Sequence, residues 1–422
     1  MARPPDQHVV SELSRSVGVT GQVVSGQGYA SRLHHLEDDD HFTIIALPQA
    51  AREFSLCLPR GLQRAGDRKL RLVLPSSEAG PAMVWSAYLR KDRRPEIWPH
   101  EDWTNAEPAE LPSRAAVEAA LVTHARDRTK LNDDRAAVEA ELRKSSQPLH
   151  LGPAKGRLLH NLVEWVARHQ DLDAAHRQGY RAWQYRGQKV LQLTSAGAGV
   201  KVVAGINGEE LVVEDRLTPA ETADLIDRVE AGIEARRSGQ YQKPDEAWLQ
   251  SFIGRAPHKV GIEGRAFREV PAWRRKGPLD ATGTKAWGRG YVDLLGVDAH
   301  GVARIIETKL PSNSDAPGLG FQAIDYLAYC CAYRDALCRR LDVSPKATFA
   351  IRYVLGQEGP KTPHLHGAAV ATMEALEDIE YDVQGLAGWY IEPGKEARGR
   401  DVTVTGAPRT WPSRSDRRMG TA

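Results

Sequence analysis

The chain has 422 residues, with 57 Lys and Arg against 55 Asp and Glu, a formal net charge of +2, and 41% hydrophobic residues. The near balance of charge excludes a globally basic mode of nucleic-acid binding while leaving local patches open, and the apolar content excludes disorder throughout. At roughly 100 to 200 residues per domain, the length points to two to four domains.

Met1–Val10 carries Arg3, two prolines and Asp6 in place of an apolar leader, and no apolar run approaches membrane-spanning length. A soluble, cytoplasmic protein without membrane contact is expected. Cys57, Cys330, Cys331 and Cys338 contain no Cys-x-x-Cys spacing and read as buried thiols.

From Phe42 to Arg90 short runs (FTIIALP, EFSLCLP, KLRLVLP, AMVWSAYLR) alternate with turn residues, which predicts a β-rich domain over residues 1–104. NAEPAELPS, Asn105 to Ser113, reads as a linker. Residues 113–145 predict a helical connector, either packed on a neighbour or forming a weak dimer arm, because His124, Arg128 and Arg135 interrupt the heptad seam of Val117, Leu121, Leu131, Val138 and Leu142.

Residues 150–240 predict a small central α/β domain without a catalytic role. A helical stripe of Leu158, Leu159, Leu162, Val163 and Val166 precedes strand-like YRAWQY, KVLQL, VKVVAGI and ELVVE, with hairpin turns at Arg186-Gly187 and Asn207-Gly208. Thr218-Pro219-Ala220-Glu221 is a capping box that opens a helix Gly239 could close. The strands and turns up to Asn207 hold no acidic residue.

Over residues 244–394 the order predicted is αβββαβ with an appended αβ, which makes the chain an α/β, or α+β, multidomain protein. The Gly-, Arg- and Ser-rich tail, 395–422, is expected to be disordered.

Chemistry concentrates in the last domain. Asp293 lies in the strand YVDLLGV and Glu307-Thr308-Lys309 in ARIIETKL, with Asp298-Ala299-His300-Gly301 between them. A three-residue loop with Gly301 left-handed pairs Asp298 with Val302 and sets Asp293 opposite Glu307; a two-residue loop sets Asp293 opposite Ile306 and separates the carboxylates. On the first register Lys309 shares the face of Glu307, while Ile306 and Thr308 point to the other side.

Two hard carboxylates on one face suit Mg²⁺ or Mn²⁺, which lowers the pKa of a bound water and neutralises a phosphoryl oxygen, with the lysine orienting or deprotonating that water. The tripeptide alone carries little weight, since a chain of this length holds about one E-x-K by chance.

These residues resemble the PD-(D/E)XK, restriction-endonuclease-like nuclease superfamily. Asp293 matches its strand Asp, Glu307 and Lys309 its E-x-K, and Gln322 with Tyr326 its Q-x-x-x-Y; Val292 stands where many members have proline. Glu246 resembles the acidic residue some members add to the metal site. The match covers residues 244–355, roughly a quarter of the chain. DEAWLQSFIG followed by the Asp strand and ETKLP is also similar to Shedu-type antiphage nucleases.

The resemblance implies Asp293, Glu307, Lys309 and Gln322 as catalytic and Asp293, Glu307, Thr308 and Glu246 as the metal set. Nucleic-acid contacts fall to Arg274, Arg275, Lys276, Lys285, Arg289 and Tyr326. Between Phe252 and Val292 nine basic residues, Arg255, Lys259, Arg265 and Arg268 among them, stand against three acidic ones, with Trp273 and Trp287 interleaved. The bland reading of that stretch is a solvated basic loop.

His34, His35, Glu37, Asp38, Asp39, Asp40 and His41 lack regular ligand spacing and read as a solvated loop. His364-x-His366 has no carboxylate at useful spacing, and neither a P-loop nor a G-x-S-x-G elbow occurs.

The expectation is therefore a Mg²⁺-dependent DNA endonuclease of antiphage defence or restriction, a homo-oligomer whose N-terminal modules meet a protein partner or activating signal. The alternatives are a nucleic-acid-binding or assembly protein on a nuclease-like scaffold, and an RNA-cleaving nuclease.

Overall fold

Apolar runs punctuated by Gly, Pro and Asp build three sheets. The computed structural model describes residues 6–19, 23–25, 33–46, 54–101, 105–124, 152–177, 180–238, 245–275, 287–310, 319–356, 367–387, 389 and 403–405. Among them no helix is long and apolar enough to cross a membrane.

The N-terminal unit runs α1 (Asp6–Ser16), β1 (Val23–Ser25), β2 (Leu33–Glu37), β3 (His41–Ala46), α2 (Phe54–Ala65), β4 (Lys69–Pro75), α3 (Ser76–Ser86), β5 (Glu96–Glu101) and β6 (Asn105–Ala106). Its sheet has the order β1-β2-β3-β4-β5-β6. β3, β4 and β5 are parallel and the outer pairs antiparallel. Parallel neighbours need crossovers, and α2 and α3 supply them.

The expected β-rich domain is thus corrected to mixed α/β, because Phe54–Pro59 of EFSLCLP and Ala82–Ser86 of AMVWSAYLR are helical. Pro59 and Pro81 lie inside those helices and imitate strand boundaries. The buried spacing Leu58, Leu62, Ala65 is helical.

The acidic and histidine cluster of this unit is a hairpin, where a wholly solvated loop was expected. Asp38 Oδ1 accepts the N–H groups of Asp40 (3.0 Å) and His41 (2.6 Å) at the turn. His35 is buried in β2, its ring tilted at 52° against Phe42 with centroids 5.5 Å apart, and burial with the Arg64 guanidinium beside it lowers its pKa to about 4.

α4 (Arg114–His124) buries Val117 in the core shared with the C-terminal helices, as the packed connector requires. The connector residues from 125 to 145 lie outside the described residues.

The central unit comprises α5 (Gly152–Leu158), α6 (His160–Arg168), β7 (Asp173–Arg177), β8 (Tyr180–Tyr185), β9 (Gln188–Ala196), β10 (Gly199–Ala204), β11 (Glu210–Val213) and α7 (Pro219–Arg237). Its antiparallel sheet has the order β11-β10-β9-β8-β7. Thr218 and Glu221 form the expected capping box; Gly239 lies outside the described residues.

At the β8–β9 turn Arg186 (φ 48°) and Gly187 (φ 79°) are both left-handed, the geometry of a tight hairpin. A Cβ at Gly187 would lie 2.3 Å from the backbone nitrogen of Trp248. Gly187→Ala is therefore expected to cost about 2 kcal/mol or more, read as a lower urea midpoint at unchanged slope.

The C-terminal unit runs α8 (Glu246–Arg255), β12 (Glu263–Arg275), β13 (Trp287–Val297), β14 (Ala303–Lys309), α9 (Leu319–Ala332), α10 (Arg334–Leu341), β15 (Phe349–Gly356), α11 (Gly367–Glu374), β16 (Tyr381–Ala387) and β17 (Thr403–Thr405). This is the element order read from the sequence with two differences: the one helix expected between the third and fourth strands is two, α9 and α10, and β17, in the tail expected to be disordered, pairs antiparallel with β16. β14, β15 and β16 are parallel, and β12–β13–β14 antiparallel.

α8 covers one face of this sheet through Trp248, Leu249, Ile253, Leu294, Ile306 and Val354. α9 to α11 cover the other face, where Ile305, Ile351 and Leu327 join Ile44, Leu62, Leu72 and Trp85 of the N-terminal unit in one core. The two sheets therefore enclose a common helical layer.

Candidate functional site

Turn chemistry sets the register of the central hairpin. Gly301 takes φ 75°, Asp298 N–H donates to Val302 O at 3.0 Å, and Asp298 Oδ1 accepts from His300 and Val302. Burial pushes the Asp298 carboxyl up, but the Arg304 guanidinium and those N–H groups outweigh it and hold its pKa below the ordinary value. The pairs from Leu294↔Ile306 to Val297↔Ala303 follow, which is the three-residue-loop register.

One step further, where Asp293 comes opposite Glu307, the regular ladder stops. Asp293 Oδ2 instead accepts both the N–H and the hydroxyl of Thr308, each at 2.8 Å.

Glu307 is fully buried, and its Oε2 has no hydrogen-bond partner among the described residues. Its Oε1 lies 2.8 Å from Lys309 Nζ. Burial, reinforced by the Asp293 charge and opposed by Lys309, pushes its pKa up to about 8. Burial also raises Asp293, against the pull of Lys309 and the Thr308 hydrogen bonds. Lys309 is raised as well, but with the causes reversed: burial would lower it, and Glu307, Asp293 and Glu246 together raise it. Those three carboxylates favour its charged form.

Glu246, at the start of α8, meets the group through Lys309 Nζ at 3.2 Å. Among the described residues no three His, Cys, Asp or Glu side chains gather as a ready-made metal cluster. The four-member metal set is therefore not assembled around one point; Lys309 stands between Glu307 and Glu246, and Thr308 serves Asp293 as a donor. Gln322 is half-buried, with its Nε2 3.4 Å from the Tyr326 hydroxyl. Tyr326 is 3% exposed and packs against Gly290, so it faces the core rather than a nucleic-acid surface.

Arg274, Arg275 and Arg289 lie along the β12–β13 hairpin, paired Arg274↔Gly288, Arg275↔Trp287 and Trp273↔Arg289. Lys276 and Lys285 lie outside the described residues. Arg268, counted in the basic stretch, does not face solvent. It is buried, pairs with Asp173 of the central unit and donates to Ala247 O at 3.4 Å, and burial lowers its pKa to about 10.

Two residues escaped the sequence reading. Gln250 Nε2 donates to Thr308 Oγ1 at 3.2 Å, extending the support of Asp293 into α8; its signal was the i, i+4 spacing from Glu246 on one helix face. Glu269 interrupts β12 with φ 49°, between the pairs Arg268↔Leu294 and Val270↔Val292, so it falls beside Asp293. A left-handed glutamate costs about 1 to 2 kcal/mol, and no sequence pattern announces it.

No family model matches the chain, and neither the curated proteins nor the solved structures gave a match.

Proposed function

We propose that the chain is a divalent-metal-dependent DNA endonuclease whose hydrolytic centre is the Asp293, Glu307 and Lys309 group. The observation that carries this reading is the buried Glu307 carboxylate with an unpartnered oxygen, one residue beyond a ladder that brings Asp293 alongside it. Two carboxylates, Glu307 and Glu246, share one ammonium there and the Asp293 charge acts on both Glu307 and Lys309, a concentration of acidic groups in a low-dielectric place that a divalent cation would relieve.

Asp293 and Glu307 would hold Mg²⁺ or Mn²⁺. The ion, when bound, would supply a more acidic water and neutralise a phosphoryl oxygen. The chain's own residues do the rest. Thr308 and Gln250 fix the direction of the Asp293 carboxylate. Lys309, kept protonated, places a positive charge beside the two acids where anionic charge builds in a phosphodiester undergoing attack. The basic β12–β13 hairpin shares β13 with Asp293 and supports DNA as the substrate. An antiphage or restriction role rests on the sequence resemblance.

The test is supercoiled plasmid incubated with the full chain in Mg²⁺, Mn²⁺ or EDTA. Strand breaks that need the ion and fall at least about 100-fold in Lys309→Ala are expected. DNA retention without ion-dependent breaks would instead assign the chain to binding or assembly, and breaks in RNA alone would change the substrate. In cells, Lys309→Ala is expected to abolish any reduction in phage plaques that the native protein gives; equal protection by both would dissociate the site from defence.

A further inference from the structure

The N-terminal and C-terminal sheets repeat one another. Each is a run of six strands in sequence order, with strands one to three antiparallel, three to five parallel and the sixth antiparallel. In each, a helix precedes the sheet, and helices join strands three to four and four to five.

The correspondence extends to residues. Ile44 and Ile305 face the shared helical layer, whereas Ile45 and Ile306 face the outer sides covered by α1 and α8. Ile44 pairs with Leu72 and Leu72 with Ile97; Ile305 pairs with Ile351 and Ile351 with Tyr381. Asp38 closes its hairpin as Asp298 does, with its N–H on the carbonyl across the turn and its carboxylate on two turn N–H groups. Carried along this alignment, Leu33↔Ala46 stands where Asp293 comes opposite Glu307. The acidic pair is missing from the N-terminal repeat.

The seam between the repeats is reciprocal. Leu89, just after α3, forms an antiparallel bridge with Leu376, just after α11, and these two helices correspond. Arg90 N–H donates to Ala375 O at 2.8 Å, and Glu377 N–H donates to Tyr88 O at 2.9 Å, so each side gives one donor and one acceptor. Trp85 of α3 donates to Asp325 of α9 at 2.8 Å, while Gly367 of α11 lies against Gln63 of α2. Such mutual contact is the mark of an isologous two-fold interface.

We infer that the N-terminal unit is an acid-less counterpart of the C-terminal unit and serves as its dimer partner within the same chain, occupying the helical face through which two copies of this fold would pair. Each internal dimer then carries one acidic set, and a second set comes only with a second chain on another surface. The inference goes beyond the nuclease reading and stands whether or not DNA is cut.

The full-length double variant Leu89→Cys/Leu376→Cys tests it. The bridge is flanked by the two hydrogen bonds, which makes it a non-hydrogen-bonded pair with Cα atoms about 4.5 Å apart, within disulfide range. Mild oxidation is expected to link residues 89 and 376 within one chain, at monomer mass, with the native protein and both single variants unlinked. A link between two chains would assign the face to a second copy, and absence of any link in folded double variant would remove the seam; both overturn the inference. The unaltered protein gives a second measurement. Amide exchange in α2 and α3 is expected to lose protection at the same urea concentration as in α9 and α11, and separate midpoints would mean that the units are independent.

Discussion

Glu307→Gln is expected to abolish cleavage and at the same time to stabilise the ion-free protein at alkaline pH. On the proposed reading, losing one of the two carboxylates that would hold the ion removes several kcal/mol of charge stabilisation, about 10³-fold or more in rate. The stability effect has the opposite sign. Burial, then the Asp293 charge, raise the Glu307 pKa to about 8, above the roughly 4.3 of an unfolded glutamate. The folded chain therefore holds this proton more tightly than the unfolded chain. That contribution is fully present below about pH 4 and is lost as pH rises through about 8.

Glutamine stays neutral and escapes the loss, so at pH 8.5 in EDTA the variant should melt above the native protein. Divalent ion should raise the native Tm and leave the variant where it was. A variant that cuts normally would remove Glu307 from the chemistry, and one that melts below the native protein at pH 8.5 would show that the buried charge is not the source of strain.

Asp382→Ala should be the most damaging single change to stability outside the site. Asp382 is 1% exposed and accepts two hydrogen bonds from Arg352, both at 2.7 Å, with Arg304 Nη1 at 3.5 Å. Arg304 also pairs with Asp298 and Glu380, each at 2.7 Å. Removing the aspartate leaves the Arg352 guanidinium buried without its carboxylate, at a cost of about 3 to 5 kcal/mol. Urea unfolding measures it. The double change Arg352→Met/Asp382→Leu is expected to recover most of the loss, since two apolar side chains leave no orphaned charge. Equal instability in single and double variants would locate the effect in packing.

What was legible in the sequence were features decided by short-range chemistry. Asp298 and Gly301 specify their own turn, and the turn specifies the register that brings Asp293 to Glu307. Thr218 and Glu221 announce their helix in the same way. The N-terminal helices were hidden because Pro59 and Pro81 sit inside them and their apolar runs are no longer than strands. Tyr326 and Arg268 were misplaced for a different reason. Both look like surface groups in isolation, and only the long-range neighbours Gly290 and Asp173 bury them. Glu269 could not be found at all, since its left-handed backbone comes from the interrupted ladder around it. The repeat escaped notice because the two halves share topology and facing while Ile44-Ile45 and Ile305-Ile306 are nearly all that their central strands have in common.

The common helical layer also governs how a ribosome must deliver this chain. The N-terminal sheet and its helices emerge first, yet the side chains that cover Leu62 and Trp85 belong to segments translated roughly 240 to 300 residues later, a delay of roughly 12 to 60 s at ordinary elongation rates. For that interval a greasy surface is left bare on a nascent polypeptide, which marks the N-terminal half as a client for holding chaperones and makes slow codons downstream of it a source of aggregation.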